Sequence, residues 1–241
     1  MLVHKRIPLR MILRVEGKSI SLFFALAIGI YAIHQFTNLP IELPVAMAAT
    51  LGTAVSVLLG FKNNAAYERW WQARQNWGAI VNHSRILGIQ LLTYTDWNQN
   101  LPDRERQKLL NKLFQRHFAY INTLRLQLRD LPNGSATDQW LDALERDGLA
   151  RAQNRATQIL TNQAARLREL ASEKLLGQFQ LFELMHTLEA LLQHQGKSEG
   201  IKNIPLMRHY SNFTTAFVWV FVLLIPLCFV QEFRVVRAFR G

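Results

Sequence analysis

Charge is absent from two long stretches of this chain and crowded into the rest. Residues 19–61 hold one formally charged side chain, Glu42, and residues 210–231 hold none. A water-soluble domain spreads charge over all its surface helices, so this segregation places a lipid bilayer beside a water-facing domain. The mean hydropathy of zero over 241 residues hides the pattern.

The two regimes meet between residues 51 and 85. Through Phe61 this stretch is apolar; the next sixteen residues carry Lys62, Asn63, Asn64, Tyr67, Glu68, Arg69, Trp70, Trp71, Arg74 and Trp77. No proline interrupts it, and after Gly60 the next glycine is Gly78. One helix over this length measures roughly 50 Å at 1.5 Å per residue, against a hydrocarbon core of roughly 30 Å. The helix therefore continues out of the bilayer into water.

Residues 1–18 set Lys5, Arg6, Arg10, Arg14 and Lys18 against Glu16, with Ile7, Met11, Ile12 and Val15 at helical spacing. This predicts an amphipathic helix on the inner membrane surface. Two spans follow, at about 19–37 and 45–61, joined by a connection holding Pro40 and Pro44 and no basic residue. Basic residues flank the pair on both sides, which puts the N-terminus and the 62–205 domain in the cytoplasm. No small-residue cleavage site follows the first apolar run, so it reads as a retained segment rather than a leader. A third apolar segment covers 206–233, with a kink expected at Pro226, and residues 234–241 form a basic tail.

The 62–205 domain is helical throughout. Its first helix reaches about Tyr94. After a break at 98–102, Asp103 is the expected N-cap of a helix with a 3.6-residue stripe: Leu109, Leu110, Leu113, Phe114, His117, Ile121, Leu124 and Leu128. A loop at 131–135 precedes a short helix about Trp140–Glu145. Helices over 150–172 and 173–195 follow, the last closed by Gly196 as C-cap. No strand-like alternation and no repeat occurs, so the fold class is all-α.

A net charge of +11 raises the question of nucleic acid. The basic residues are dispersed among Glu and Gln along helices, and basic flanks of membrane segments account for the excess, so no nucleic acid partner is expected. Cys228 is the single cysteine and leaves the redox compartment open. Glu183-x-x-His186 has the spacing of di-iron helical bundles, but no second copy exists, and a metal oxidase is the minor alternative. No phosphate loop, nucleophile elbow or Cys/His cluster is present. Neither an enzyme nor a cofactor or metal is expected.

The run Gly60–Asn64 with Tyr67–Trp71, continued by Ala73–Gly78, resembles the signature of the bestrophin family. Its bacterial branch is resembled further by Arg116-His117 with Leu124–Arg129, by Gln195–Glu199, and by Ile201–Pro205 with Tyr210. These pieces fall in order across residues 1 to about 233. Asn63, Asn64, Tyr67, Glu68, Arg69, Trp70, Trp71, Arg74, Trp77, Gly78 and Pro205 are the residues that carry signature and assembly. The tryptophans read as interfacial anchors and packing residues rather than a base-stacking platform. Glu68, Arg69 and Arg74 read as ion pairs between subunits, with ion binding as the alternative.

The resemblance implies a homopentameric ion channel in the cell membrane, with five copies of the second span lining a hydrophobic neck above a wider vestibule. The neck positions it implies are Thr53, Val57 and Phe61, four apart on one helix face; without the resemblance, they serve equally as contacts to neighbouring membrane helices. Thr53 departs from the bulkier apolar residue usual there, which implies a wetter neck. A second, cytoplasmic constriction is implied at Met185, with Leu181, Leu184 and Leu188 as alternatives. Monovalent ions are the implied cargo, with anions such as chloride favoured by the basic chain. A sodium or potassium channel of the same fold and a non-conducting membrane scaffold are the alternatives. The family has a fourth membrane helix, whereas three apolar runs stand here and would put the terminal arginines outside. No calcium site is carried over.

Overall fold

A computed structural model describes residues 9–37, 43–96, 102–132, 137, 139–204 and 208–238. Among the described residues there are seven helices and no strand. They are α1 (Leu9–Thr37), α2 (Val45–Asp96), α3 (Asp103–Leu128), α4 (Ala143–Ala150), α5 (Arg155–Ser172), α6 (Gln178–Asn203) and α7 (Arg208–Ala238). The chain is all-α. Pro205, the connection at 38–42, the break at 98–101, the loop at 133–136 and the ends 1–8 and 239–241 lie outside the described residues. So do the side chains of Tyr210, Arg234 and Arg237. The chain divides into two units, Met1–Ala66 with Leu206–Gly241, and Tyr67–Pro205.

The first unit holds α1, the start of α2, and α7. Helices α1, α2 and α7 are long and apolar enough to cross a bilayer, with candidate spans Leu13–His34, Val45–Tyr94 and Asn212–Phe229. In hydrocarbon no water satisfies a backbone N–H, so a single spanning segment must be helical. Helix α1 runs without interruption from Leu9 to Thr37. The basic residues Arg10, Arg14 and Lys18 thus share one helix with the apolar run, and no break separates a surface helix from a span. Helix α7 likewise continues through Pro226, which is buried. Helix α1 packs on α7. Helix α2 comes close to α7 at Gly52, where a Cβ would lie 3.2 Å from the Phe221 ring.

The second unit is built from the rest of α2 and from α3 to α6. Its core takes Ile80, Leu87 and Leu91 from α2, Leu113, Tyr120 and Leu124 from α3, Ile159, Leu167 and Leu170 from α5, and Leu184, Leu188 and Leu191 from α6. The predicted stripe on α3 faces this core: Leu113, His117 and Leu124 are buried, and Leu109, Leu110, Phe114, Ile121 and Leu128 pack against the cluster. Helix α3 begins one residue away from the expectation, with Pro102 at the N-cap and Asp103 inside the first turn, paired with Arg106 at 2.6 Å. The short helix lies at Ala143–Ala150, a few residues later than its predicted place.

Helix α5 starts at Asn154, whose side-chain oxygen accepts from the Thr157 amide at 3.1 Å. The amide of Asn154 donates to Glu199 Oε1 at 3.0 Å, and the buried Gln195 donates to Thr157 Oγ1 and to Glu199 Oε1 at 2.9 Å each. These contacts require α6 to remain helical well beyond Gly196. It does so to Asn203, and Gly196 is an interior helical residue rather than a C-cap.

His117 is enclosed between α3 and its neighbours, ring against ring with Tyr120 at 5.8 Å, and its Nε2 has no hydrogen-bond partner. Burial disfavours the imidazolium and pulls its pKa down to about 4. The unfolded chain takes up this proton near 6.5, so between pH 6.5 and 4 the unfolded state binds more protons and stability falls as pH falls. The His117 contribution to that loss is about 3 kcal/mol at most. We expect His117→Leu to flatten this part of the stability profile, measured as detergent-solubilised thermal unfolding at pH 7.5 and 5. A variant that loses as much stability as the parent at pH 5 would place the titration elsewhere.

Candidate functional site

Helix α2 is a single run of 52 residues, roughly 78 Å long at 1.5 Å per residue. Its membrane part has two faces. Ala48 and Val55 are buried within the first unit and Gly52 meets Phe221, while Thr53, Val57 and Phe61 are exposed. Val57 and Phe61 leave 53% and 62% of their surface uncovered by any part of their own chain. The Thr53 hydroxyl donates to the Ala49 carbonyl at 2.9 Å, and Ser56 and Thr50 bind back to their own helix in the same way. With its hydrogen engaged, the Thr53 hydroxyl presents acceptor lone pairs outward.

The aromatic stretch follows on the same helix. Tyr67 and Trp70 lie 5.8 Å apart, Trp70 and Trp71 6.2 Å, and the Arg74 guanidinium sits 6.0 Å from the Trp70 ring centre. Asn63, Asn64, Tyr67, Glu68, Trp70, Trp71, Arg74 and Gly78 are all exposed in the single chain. Trp77 turns the other way and packs on the core of the second unit. Arg69 donates through Nη2 to the Ile201 carbonyl of its own chain. One guanidinium nitrogen of Arg69 is therefore engaged within its own chain. Arg74 stacks on Trp70 in the same chain.

On α6 the four candidates for a constriction separate by burial. Leu184 and Leu188 are sealed in the core of the second unit and present nothing outward; Leu181 and Met185 are half-buried against the same cluster. The apolar side chains that α6 leaves uncovered near its start are Phe179 and Phe182, at 91% and 69% exposure. The same outward face carries Glu183, His186 and Glu189. Among the described residues no group of three His, Cys, Asp or Glu side chains is arranged to hold a metal ion.

Across the helices, His83 of α2 stacks on His194 of α6 with ring centres 5.4 Å apart. The pKa of His194 is lowered by burial first, then by Lys197 and His83. Thr187 donates to the Gln90 side chain at 2.8 Å. A second tie missed by sequence reading joins α3, α4 and α5. Arg116 donates to Glu145 Oε1 through Nε and Nη2 at 2.7 and 2.5 Å, and to Gln163 Oε1 at 3.2 Å. These partners lie far apart in sequence, and no local spacing announces them.

The sequence profile described as Bacterial/Fungal Bestrophin protein matches residues 9–239. A voltage-dependent anion channel-forming protein of Nostoc sp. is 26% identical over 202 residues, which cover 83% of this chain and 62% of that protein. The voltage-dependent anion channel-forming protein YneE of Escherichia coli is 24% identical over 220 residues, covering 91% and 69%. The chain thus spans less than two thirds of the length of the Nostoc relative. In structure it is similar to a bacterial Bestrophin homolog from Klebsiella pneumoniae, with a TM-score of 0.82 and 22% identity over 92% of this chain and 78% of that one.

The bond from Arg69 to Ile201 generates a direct test. Arg69→Met removes a charge-assisted donor from a part-buried carbonyl, at an expected cost of about 1.5–3 kcal/mol. Thermal unfolding of the detergent-solubilised protein measures it; a variant as stable as the parent would show that the bond carries no weight.

Proposed function

The chain belongs to the bacterial/fungal bestrophin family, and on that premise we propose that it forms a membrane ion channel, a homopentamer conducting monovalent ions with anions such as chloride favoured. One observation carries this reading. Thr53, Val57 and Phe61 form a largely apolar stripe, polar only at the Thr53 hydroxyl, on a membrane helix that its own chain leaves bare. On a membrane helix such a face is covered by lipid or by other copies of the chain; family membership favours copies, and a ring of such helices would narrow at each of these three levels. The exposed Tyr67, Trp70 and Trp71 supply further surface for association between copies. A neck of this kind gates by dewetting.

The anion preference is supported by the names of the relatives and by the basic excess of the chain. Basic residues Arg10, Arg14, Lys18 and Lys62 flank the first two spans, which supports a cytoplasmic second unit. A second narrowing would fall among Leu181, Met185 and the exposed Phe179 and Phe182. The second reading, a monovalent-cation channel, is favoured by Glu183 and Glu189 on the outward face of α6 and by the acceptor lone pairs of Thr53.

Planar-bilayer recording of the purified protein under a KCl gradient separates the two. Reversal near the chloride equilibrium potential is expected, and reversal near the potassium potential would replace the first reading by the second. A protein that assembles and stays silent would favour a scaffold. In a conducting protein, Phe61→Ala should raise single-channel conductance severalfold and weaken selectivity. An unchanged single-channel current would remove Phe61 from the neck.

A further inference from the structure

The second unit contains a cavity of about 300 Å³ between α3 and α5, lined by Lys108, Leu109, Lys112, Leu113, Arg116 and Arg166. Four of these six residues are cationic and none is acidic. Lys108, Lys112 and Arg116 stand one turn apart on α3, so they form one stripe, and Arg166 faces them from α5. Leu113 is fully buried and Leu109 half-buried, which gives the cavity an apolar floor under a basic rim.

Carboxylates do not line the cavity, but three of its four cations are paired with them. Glu145 and Gln163 hold Arg116 from the side, as described above. Glu169 and Glu173 both bind the single nitrogen Nη1 of Arg166, at 2.8 and 3.2 Å. Asp142 lies 3.2 Å from Lys112. Lys108 has no ion pair among the described residues. Each acid therefore holds a cation in place while engaging only part of its N–H donor capacity. Glu145, Asp142 and the two glutamates on Arg166 offset the charges of Arg116, Lys112 and Arg166, so what the cavity offers an anion is the charge of Lys108 and the spare N–H donors of the other three. Guanidinium groups already locked in place lose little entropy on binding one. The volume is at the lower limit for ligand sites, so the occupant must be compact.

We propose that this cavity binds a compact polyvalent anion of the phosphoryl class, either a free phosphate or diphosphate or the headgroup of an anionic lipid. The site lies wholly in the second unit and does not depend on the channel reading.

The test uses the full chain in phospholipid-free detergent, titrated with pyrophosphate at constant ionic strength and followed by calorimetry and thermal unfolding. Saturable binding with a rise in melting temperature is expected. Lys108→Gln or Arg166→Gln should each weaken it roughly tenfold, the loss of one charge-assisted contact. Arg168→Gln, an exposed change on α5 outside the cavity, should leave it intact. Lys108 is exposed, so its replacement disturbs no core contact. Saturation by pyrophosphate assigns a soluble anion, and a response to short-chain phosphatidic acid alone assigns a headgroup. No saturable response to either probe overturns the proposal, as does an equal response to added NaCl or equal affinity in Lys108→Gln.

Discussion

A backbone amide inside hydrocarbon has no partner except its own helix, and α2 is organised by that constraint. The apolar residues from Val45 to Phe61 must be helical to enter a bilayer at all. No proline follows to stop them, and the helix continues to Asp96. Helical phase then sorts its side chains. Ala48 and Val55 turn toward the first unit, Thr53, Val57 and Phe61 turn away, and further on Ile80, Leu87 and Leu91 enter the core of the second unit. One element thus contributes the bare stripe, the aromatic stretch and a wall of the second unit's core.

The parts legible in the sequence are those that depend on local periodicity or on composition. Charge segregation located three helices able to cross a membrane, and the α3 stripe named the residues that pack. The misplacements arise where distant partners decide. Gly196 looks like a helix end because glycine favours the left-handed turn that closes helices. Here α6 continues because Glu199 and Lys202 have work beyond it, on Asn154 and on Asp130. The four leucine and methionine candidates on α6 illustrate a different limit. Spacing of three and four identifies a stripe but not what covers it, and Leu184 and Leu188 are covered by their own domain.

Polar ties were the least legible features. Arg116, Glu145 and Gln163 sit on three helices, and each looks like an ordinary surface residue in its own segment. Only their meeting gives them a purpose, because Glu145 neutralises and orients a guanidinium that is largely buried. The motif Gln195–Glu199 is similar in kind: its physical content is the contact that Gln195 and Glu199 make with the start of α5.

That last contact has a consequence for the order of folding during synthesis. The second unit is continuous in sequence, whereas the first is divided, with Leu206–Gly241 returning to join Met1–Ala66. As the chain emerges, α5 can form its own first turn through Asn154 and Thr157, yet the far side of that cap waits for Glu199, 45 residues later. Glu199 appears only a few residues before the chain turns into α7. The long-range closure of the helical domain and the arrival of the last apolar helix are thus nearly simultaneous on the ribosome. Until then the nascent protein carries two membrane helices and an unfinished domain whose apolar face is still open.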